Sequence, residues 1–598
     1  MPVVALPQTA DPLLDWDLSD LYQSFWDPQF SQDRAGLEDQ TRDFRQHYCG
    51  QVAQLSPSEI LRALQELEQI QVLCSRLYAY PMLRFSANTR DTEAKQFLDQ
   101  IQETMAEIEN QLLFLRLELQ HLPTSNLAQL QQDPQLSSYQ HYFARLLQLK
   151  PYQLSEEVEQ ALNQATLTGR QALINLRDIH LGLQEYPEVE TDEGPVSTEA
   201  ELSALLYHQE PEIRLQSYRA IRQVLENHNP LYGYILNTLI QDHRLEVQRR
   251  GYDSCLAKQL LADEVTLPVF EAVMEGTRDR YDLFQRYYRL KGRSTGRVVR
   301  ICDLDGPWRA SSPAISYAEA MQLLMSALQD FSPEYAAQAR PFFEQQWIDA
   351  RVRSGKRTGA FCAYVNGLHS FLMLSYTHSS HALFTLAHEL GHGLHYERIK
   401  DHQSVLNSDP PLVLAEIAST FNELLLLDYL LKYHSDEELR FDLLTQQIES
   451  QLNLLFLQST ISRLELVLHQ QATESSFDHE FINEEWLKLY QDLCGDAVEL
   501  LPEHQFDWAR VGHLFFRPFY CYSYTLSFVV AIACYQQYLQ QGREFVPRYL
   551  KLLDTGGSLS PDQALQLVGI DLNDPLTISQ ALEYTESLIE QLEAQLEE

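Results

Sequence analysis

The chain has 598 residues, of which 44% are hydrophobic and 11% aromatic. This composition can form a sizeable core and excludes a disordered or fibrous protein, and the length predicts two or more lobes. The formal net charge of −39 and the pI of about 4.8 argue against nucleic acids and anionic membrane surfaces as partners, because both would repel the protein.

The sequence indicates a protein of the cytoplasm. Residues 1–22 lack the basic and apolar regions of a secretory signal. The most apolar stretch, 524–539, is too short to span a membrane and predicts a buried helix. The eight cysteines stand singly, without a CxxC pair, which is typical of free thiols in a reducing compartment.

Helical periodicity covers most of the chain. Apolar residues recur at three- and four-residue spacing over 55–125, and similar patterns follow at 155–182, 198–250, 265–292, 316–345, 411–434, 440–470 and 558–596. Residues 184–197 interrupt this pattern with proline, glycine and alternating valine and glutamate, which predicts a short hairpin or a linker. We place a boundary there, between an N-terminal helical lobe at 1–185 and a larger lobe at 186–598.

A second interruption precedes a histidine-rich helix. Within 359–376, Asn366 and Gly367 lie between two runs of aromatic and apolar residues, which predicts a β-hairpin. The hairpin leads almost directly into the sequence TLAHELGHGLHYE at 385–397.

That sequence contains an HExxH motif formed by His388, Glu389 and His392. Residues four apart share one face of a helix, so both imidazoles can reach one zinc ion. Glu389 lies on a neighbouring strip of the helix, where it can act as a general base without being a ligand. Gly391 costs stability inside a helix, which indicates a close neighbour or a substrate at that point. A polar helix face rich in histidine remains the alternative, because HExxH also occurs by chance.

Glu416 is the best candidate for a third metal ligand. It lies 24 residues past His392, beyond a proline-containing break at 407–411, and it is surrounded by apolar residues in the sequence. A carboxylate in such surroundings is expected to be paired or metal-bound, although an exposed position on an amphipathic helix is the alternative. Glu423 and Ser419 follow on the same helix and could support the ligands. His395 is assigned to packing, because three ligands along one helix give poor tetrahedral geometry.

A third segment, HLFFRPFYCYSYTLS at 513–527, supplies His513 and tyrosines 520, 522 and 524. Aromatic packing alone explains such a run. A hydrolase also needs hydrogen-bond donors for an oxyanion, and a phenol and an imidazole would serve.

Blocks along nearly the whole chain resemble the M3 family of zinc oligopeptidases, specifically its oligoendopeptidase F branch. The blocks are WDLSDLY near the start, YDSCL at 252–256, CDLDGP at 302–307, SGKRTGAFC at 354–362, FTLAHELGHGLHYE at 384–397, EIASTFNE at 416–423 and RPFYCYSY at 517–524. The resemblance implies a mainly α-helical, two-lobed body that encloses a deep substrate channel, with a small β-sheet beside the HExxH helix. The lobe at 186–598 would be the catalytic one.

The resemblance also implies roles for single residues. His388, His392 and Glu416 would bind one zinc ion per chain, and Glu389 would be the base. His513 and Tyr524 would stabilise the transition state, and Tyr520 would contact substrate. The block ends in YTLS where the branch has a YATG type of ending, so which of tyrosines 520, 522 and 524 contacts the oxyanion stays open.

The expected activity is zinc-dependent hydrolysis of internal bonds in short unstructured peptides. Two alternatives remain: an M32-type helical zinc carboxypeptidase, which would remove single residues from a free C-terminus, and a catalytically silent helical binding protein. The sequence leaves the oligomeric state open, a monomer included.

Overall fold

The structure is a computed structural model that describes residues 14–192, 194–309 and 314–597. Helices form most of these residues. In chain order the α-helices are α1 (Pro28–Tyr48), α2 (Pro57–Ala87), α3 (Thr92–His121), α4 (Thr124–Gln132), α5 (Gln140–Leu149), α6 (Glu156–Thr168), α7 (Arg170–Gly182), α8 (Glu199–Ala204), α9 (Pro211–Arg250), α10 (Cys255–Asp263), α11 (Leu267–Asp279), α12 (Tyr281–Thr295), α13 (Tyr317–Phe331), α14 (Pro333–Glu344), α15 (Ser380–His402), α16 (Leu412–Ala415), α17 (Ile417–Tyr433), α18 (Glu437–Leu452), α19 (Gln458–Glu474), α20 (His479–Cys494), α21 (His513–Phe516), α22 (Tyr522–Gln541), α23 (Val546–Leu553), α24 (Pro561–Gln566) and α25 (Pro575–Glu597).

The strands are short and form three small sheets. They are β1 (Val189–Thr191), β2 (Gly194–Val196), β3 (Val299–Arg300), β4 (Ile348–Asp349), β5 (Phe361–Tyr364), β6 (Ser370–Met373) and β7 (Val498–Glu499). Strands β1 and β2 form an antiparallel pair, and β3 and β7 form a parallel one. The third sheet has the order β4-β6-β5, with β4 parallel and β5 antiparallel to β6.

The mainly α-helical class predicted from the sequence is confirmed. Each predicted helical range contains one or more helices, and the apolar stretch at 524–539 lies within helix α22, where residues 525–535 are buried and Leu539 is exposed. The hairpin predicted within 359–376 is present as β5–β6, and the range 184–197, predicted as a short hairpin or a linker, contains the antiparallel pair β1–β2. Gly367 has a φ of +75°, a left-handed conformation that glycine adopts readily in the turn between β5 and β6.

The chain divides into two compact units, each assembled from separated segments. Unit 1 contains the described parts of Met1–Gln153, Pro313–Ser435 and Ala531–Asp571. Unit 2 contains the described parts of Leu154–Ser312, Asp436–Val530 and Leu572–Glu598. The boundary predicted at residues 185 and 186 falls inside a segment of unit 2, and that division into lobes stays a prediction.

In unit 1 the hairpin is anchored to the helical core. Val365 and Phe371 are fully buried in the same apolar cluster as the inward faces of α1 to α5. At the other side of the sheet, the buried Lys356 ammonium donates to a carboxylate oxygen of Asp349 at 2.5 Å and to the carbonyl of Leu374 at 2.6 Å. A buried charge with such partners fixes strand β4 and the residues that follow β6. The sheet is therefore a rigid neighbour for helix α15, which contacts both β5 and β6.

Among the described residues, no helix combines the length and the apolar character that are needed to cross a membrane.

Candidate metal centre

Helix α15 carries the HExxH motif in unit 1. The helix begins after Ser379, whose hydroxyl accepts the N–H of Ala382 at 3.2 Å. His388 and His392 lie one turn apart on one face, and their Nε2 atoms are 3.2 Å apart. Both rings are half-buried, so one side of the pair is open.

Close packing of α15 against α17 explains the glycine between the histidines. A Cβ atom added to Gly391 would lie 2.4 Å from the carbonyl oxygen of Ala418 and 2.5 Å from the Cα of Ser419. Both atoms belong to the backbone of α17 and cannot rotate away. The side-chain amide of Asn422 also donates to the carbonyl of Ala387 at 3.3 Å, which links the two helices again.

Glu416 lies at the break between two helices. Its φ of −92° and ψ of 2° separate α16 from α17, so it precedes the first residue of α17. From there its Oε2 atom lies 3.3 Å from Nε2 of His388 and 3.2 Å from Nε2 of His392. The sequence placed Glu416 inside a helix, whereas the structure uses the helix break to direct its carboxylate at the imidazoles.

The three converging atoms have the spacing of a zinc site. Tetrahedral ligands at about 2.0–2.1 Å from zinc lie about 3.3–3.4 Å from one another. The three measured separations are 3.2, 3.2 and 3.3 Å. Two imidazoles and one carboxylate are also a donor set that zinc accepts, with the fourth position left for water or substrate.

Two further side chains hold the candidate ligands in place. Nδ1 of His388 lies 2.7 Å from Oε1 of Glu423, so the ring presents Nε2 to the centre. The hydroxyl of Ser419 donates to Oε2 of Glu416 at 2.9 Å. Both supporting residues belong to α17.

The charges of this cluster suit a bound cation. Burial lowers the pKa of His388, but the carboxylates of Glu416 and Glu423 outweigh it and hold that pKa well above its usual value. Burial would raise the pKa of Glu416, and the two imidazoles instead hold it well below its usual range. The carboxylates thus stabilise positive charge between them, and a divalent metal ion can replace the proton on His388.

Glu389 is buried beside the ligands, and burial raises the pKa of its carboxyl. Its neighbourhood includes Cys362 on β5. Burial raises the pKa of the Cys362 thiol, and the carboxylate of Glu389 raises it further. No sequence spacing connected Cys362 with the HExxH motif. His395 is buried in the same helix, with its ring against Tyr396, in agreement with a packing role.

The residues of the third segment lie in unit 2, where they contact one another. The phenol of Tyr524 lies 3.4 Å from Nε2 of His513. The ring of His513 stacks on Tyr520 with centroids 5.2 Å apart, and the guanidinium of Arg517 lies 4.4 Å from the centroid of Tyr520. Burial lowers the pKa of His513, and Arg517 lowers it further, which favours a neutral imidazole.

Tyr522 differs from its two neighbours in the run. It is fully buried, and its hydroxyl donates to the carboxylate of Asp263 at 2.8 Å. Tyr520 and Tyr524 are half-buried. Tyr522 is therefore part of the core, whereas the side chains of Tyr520 and Tyr524 are partly accessible.

A buried carboxyl supports the turn before these tyrosines, a role that the sequence did not indicate. Phe519 has a φ of +56°, which is rare for a bulky residue. Its N–H donates to Oε1 of Glu465 at 2.6 Å, and burial raises the pKa of Glu465 to about 8. A strained residue next to Tyr520 persists only because surrounding contacts hold it.

Comparison with protein-family models identifies two matches. A model described as peptidase family M3 matches residues 204–584, and a model described as oligopeptidase F matches residues 118–182. These matches confirm the resemblance that the sequence blocks indicate.

Relatives match over almost the whole chain. An oligoendopeptidase F homolog of Lactococcus lactis subsp. lactis (strain IL1403) is 26% identical and aligns over 98% of this chain and 97% of its own. Oligopeptidase PepF of Bacillus subtilis (strain 168) is 23% identical, over 97% of this chain and 86% of its own. The crystal structure of oligoendopeptidase-F from Enterococcus faecium has a TM-score of 0.73 at 22% identity and covers 95% of this chain and 99% of that one, which shows a shared fold.

Replacing Gly391 by alanine is expected to disrupt the metal centre. The new methyl group would collide with the backbone at Ala418, so α17 must shift and carry Glu416 away from the imidazoles. Zinc content after dialysis and the melting temperature should both fall. Gly36→Ala on α1, where the nearest atom is the end of a glutamine side chain at 4.0 Å, is the control and should leave both unchanged or slightly raise stability. Unchanged zinc affinity in Gly391→Ala would contradict the packing argument.

Replacing Glu423 by glutamine is expected to weaken zinc binding by about 10–100-fold, because the partner of the His388 ring loses its charge. Competition with a chromophoric chelator measures the affinity. His402→Gln changes a histidine in the last turn of the same helix, whose Nδ1 lies 2.8 Å from the carbonyl oxygen of Arg398, and it should retain near-native affinity. Equal losses in both variants would remove the special role of Glu423.

Proposed function

This chain belongs to peptidase family M3 and is a peptidase, and we propose that it is a zinc-dependent endopeptidase that cleaves internal bonds of short unstructured peptides. The observation that carries the proposal is the convergence of three ligand atoms, separated by 3.2–3.3 Å, beside the buried carboxyl of Glu389.

His388, His392 and Glu416 would hold one zinc ion, in agreement with their donor types and spacing. When bound, zinc supplies a Lewis acid that polarises a peptide carbonyl and lowers the pKa of water toward about 7. The contact with Glu423 would direct Nε2 of His388 toward such an ion, and the hydrogen bond from Ser419 would hold Oε2 of Glu416 in place.

Glu389 performs the proton transfers. Its position on α15, next to His388 but on another strip of the helix, lets it contact the attacking water without occupying a ligand position. It accepts a proton from that water and later returns the proton to the leaving amine. Burial raises the pKa of its carboxyl, which makes it a stronger base than an exposed glutamate.

His513 and Tyr524 are assigned to the oxyanion that forms when water adds to the carbonyl. Both carry a group that can donate a hydrogen bond, and the 3.4 Å separation of Nε2 of His513 from the hydroxyl of Tyr524 keeps them as a pair. Tyr520, stacked on His513, is assigned to substrate contact. These three roles rest on the family resemblance and on the burial of Tyr522.

A groove in unit 1 is consistent with the proposed peptide substrate. It has a volume of about 320 Å³ and lies between α2 and β5, with Tyr78, Met82, Arg357 and Phe361 among its lining residues. Because the sheet order is β4-β6-β5, strand β5 is at the edge of its sheet. We assign this edge to the substrate, whose backbone could add as a further strand, so that binding depends on an extended backbone rather than on one side chain.

One residue that lines the groove lies near the proposed base. Cys362 of β5 lines it and lies near enough to Glu389 for the carboxylate to affect the pKa of the thiol. An extended segment along β5 would therefore run past Glu389. The M32-type carboxypeptidase has no such support, since the family that matches is M3.

Replacing Glu389 by glutamine is expected to lower cleavage by about 10²–10⁴-fold while the zinc content stays equal to that of the wild type, because the base is lost and the ligands remain. The assay uses an internally quenched peptide that is blocked at both ends. Cleavage of this peptide by the wild type supports an endopeptidase. Loss of C-terminal residues from an unblocked peptide, with the blocked one intact, would indicate a carboxypeptidase instead. If the zinc-loaded wild type cleaves neither peptide, the proposed endopeptidase activity is contradicted.

The tyrosines give a matched pair of variants. Tyr524→Phe is expected to lower kcat by about 10²–10³-fold with an unchanged melting temperature, because a hydrogen-bond donor to the oxyanion is removed. Tyr522→Phe should instead lower the melting temperature, because the carboxylate of Asp263 loses a buried donor and keeps only the amide of Gln259 among the hydrogen bonds described, and it should leave kcat near that of the wild type. The reverse pattern would show that the two tyrosines have been assigned the wrong roles.

A further inference from the structure

Unit 2 contains a second cluster of metal-ligating side chains, on three different helices. His243 lies on α9, Cys255 is the first residue of α10, and His469 lies on α19. One nitrogen of each histidine and the sulfur of Cys255 all lie within 4.8 Å of one another. Both histidines are buried, and Cys255 is half-buried.

The two nitrogens have the same spacing as those of the HExxH pair. Nδ1 of His243 lies 3.3 Å from Nε2 of His469, against 3.2 Å for the Nε2 atoms of His388 and His392. Two nitrogens on one tetrahedral zinc ion are about 3.3–3.4 Å apart. A proton on Nδ1 of His243 can form a hydrogen bond across this separation, and a metal ion that replaces the proton would find the two nitrogens at the spacing of two ligands.

The orientation of His469 is fixed as in a metal ligand. Its Nδ1 lies 2.9 Å from the backbone carbonyl of Glu465. A carbonyl only accepts hydrogen bonds, so Nδ1 carries the proton and Nε2 directs its lone pair at His243. Metal-bound histidines commonly have their second nitrogen held by a carbonyl in this way.

The charged groups near the cluster are Lys258, Arg244, Arg170 and Glu246. The ammonium of Lys258 is paired with Glu246 at 2.8 Å, which limits its repulsion of a cation. A thiophilic cation would displace the proton of the thiol, so binding would release one proton.

We propose that His243, Cys255 and His469 form a second metal site, which takes a thiophilic divalent cation such as Zn²⁺ and joins α9, α10 and α19. Two imidazoles and a thiolate select zinc-like ions over magnesium or calcium. The site is independent of the peptidase proposal, because its ligands are separate from the HExxH centre. Its effect is structural: an ion that binds only the folded state stabilises it.

Cobalt(II) distinguishes the two sites, because the HExxH centre has no sulfur ligand and the second site has one. The metal-free, full-length chain is titrated with Co²⁺ under reducing conditions, and bound cobalt is measured together with near-ultraviolet absorption. The expected result is two cobalt ions per chain and a sulfur-to-cobalt charge-transfer band. Cys255→Ser and His243→Gln should each remove one ion and weaken or abolish the band, and they should still bind cobalt at the HExxH centre. The control is Cys49→Ser, which changes a half-buried cysteine of unit 1. This variant should still bind two cobalt ions and show the charge-transfer band.

Thermal unfolding gives a second measurement. Added Zn²⁺ should raise the melting temperature of the wild type and of a His388→Ala/His392→Ala variant. When Cys255→Ser is added to that double variant, Zn²⁺ should no longer raise the melting temperature. A single cobalt ion per wild-type chain without the charge-transfer band would overturn the proposal. A band that persists in Cys255→Ser would also overturn it, because the sulfur would then come from another cysteine.

Discussion

The candidate metal centre depends on one close contact between two helices. Gly391 lets the backbone of α17 approach α15 so closely that even a methyl group would overlap with Ala418. At this distance the residue before α17, Glu416, reaches both imidazoles. The same contact aligns Ser419 and Glu423 with the ligands they support. A helix pair at ordinary separation would hold the same residues too far apart, so the stability lost by placing glycine in a helix is offset by the site it creates.

Charge balance follows from this packing. The contact brings the carboxylates of Glu416 and Glu423 close to His388, where they outweigh burial and favour a positive charge. A cation at this point neutralises the carboxylates and keeps the imidazoles in the ligand form. Glu389 lies beside this cluster and is not one of the three candidate ligands. Burial raises the pKa of its carboxyl. Helix α15 thus presents two of the three candidate ligands and the proposed base, with their roles set by which strip of the helix each residue occupies.

In unit 2, Glu465 on helix α19 supports two neighbouring features. Glu465 holds the strained backbone of Phe519 directly before Tyr520, and its backbone carbonyl orients His469. Phe519 and His469 also pack against each other, with ring centroids 4.5 Å apart. The support of the tyrosine segment and the proposed second metal site therefore share helix α19. Stabilising that helix by a bound ion would make the turn before Tyr520 more rigid, without a direct part in the chemistry.

The sequence by itself determined the features that depend on neighbours along the chain: the helices, the hairpin at Asn366 and Gly367, and the shared helix face of His388 and His392. It also singled out Glu416, and the blocks of the M3 family gave its expected role. Only the tertiary structure decided that Glu416 lies at a helix break, that Tyr522 is buried while Tyr524 is not, and that His243, Cys255 and His469 converge. The physical reason is that helical periodicity fixes which residues share a face, whereas the packing of distant helices fixes what each face meets.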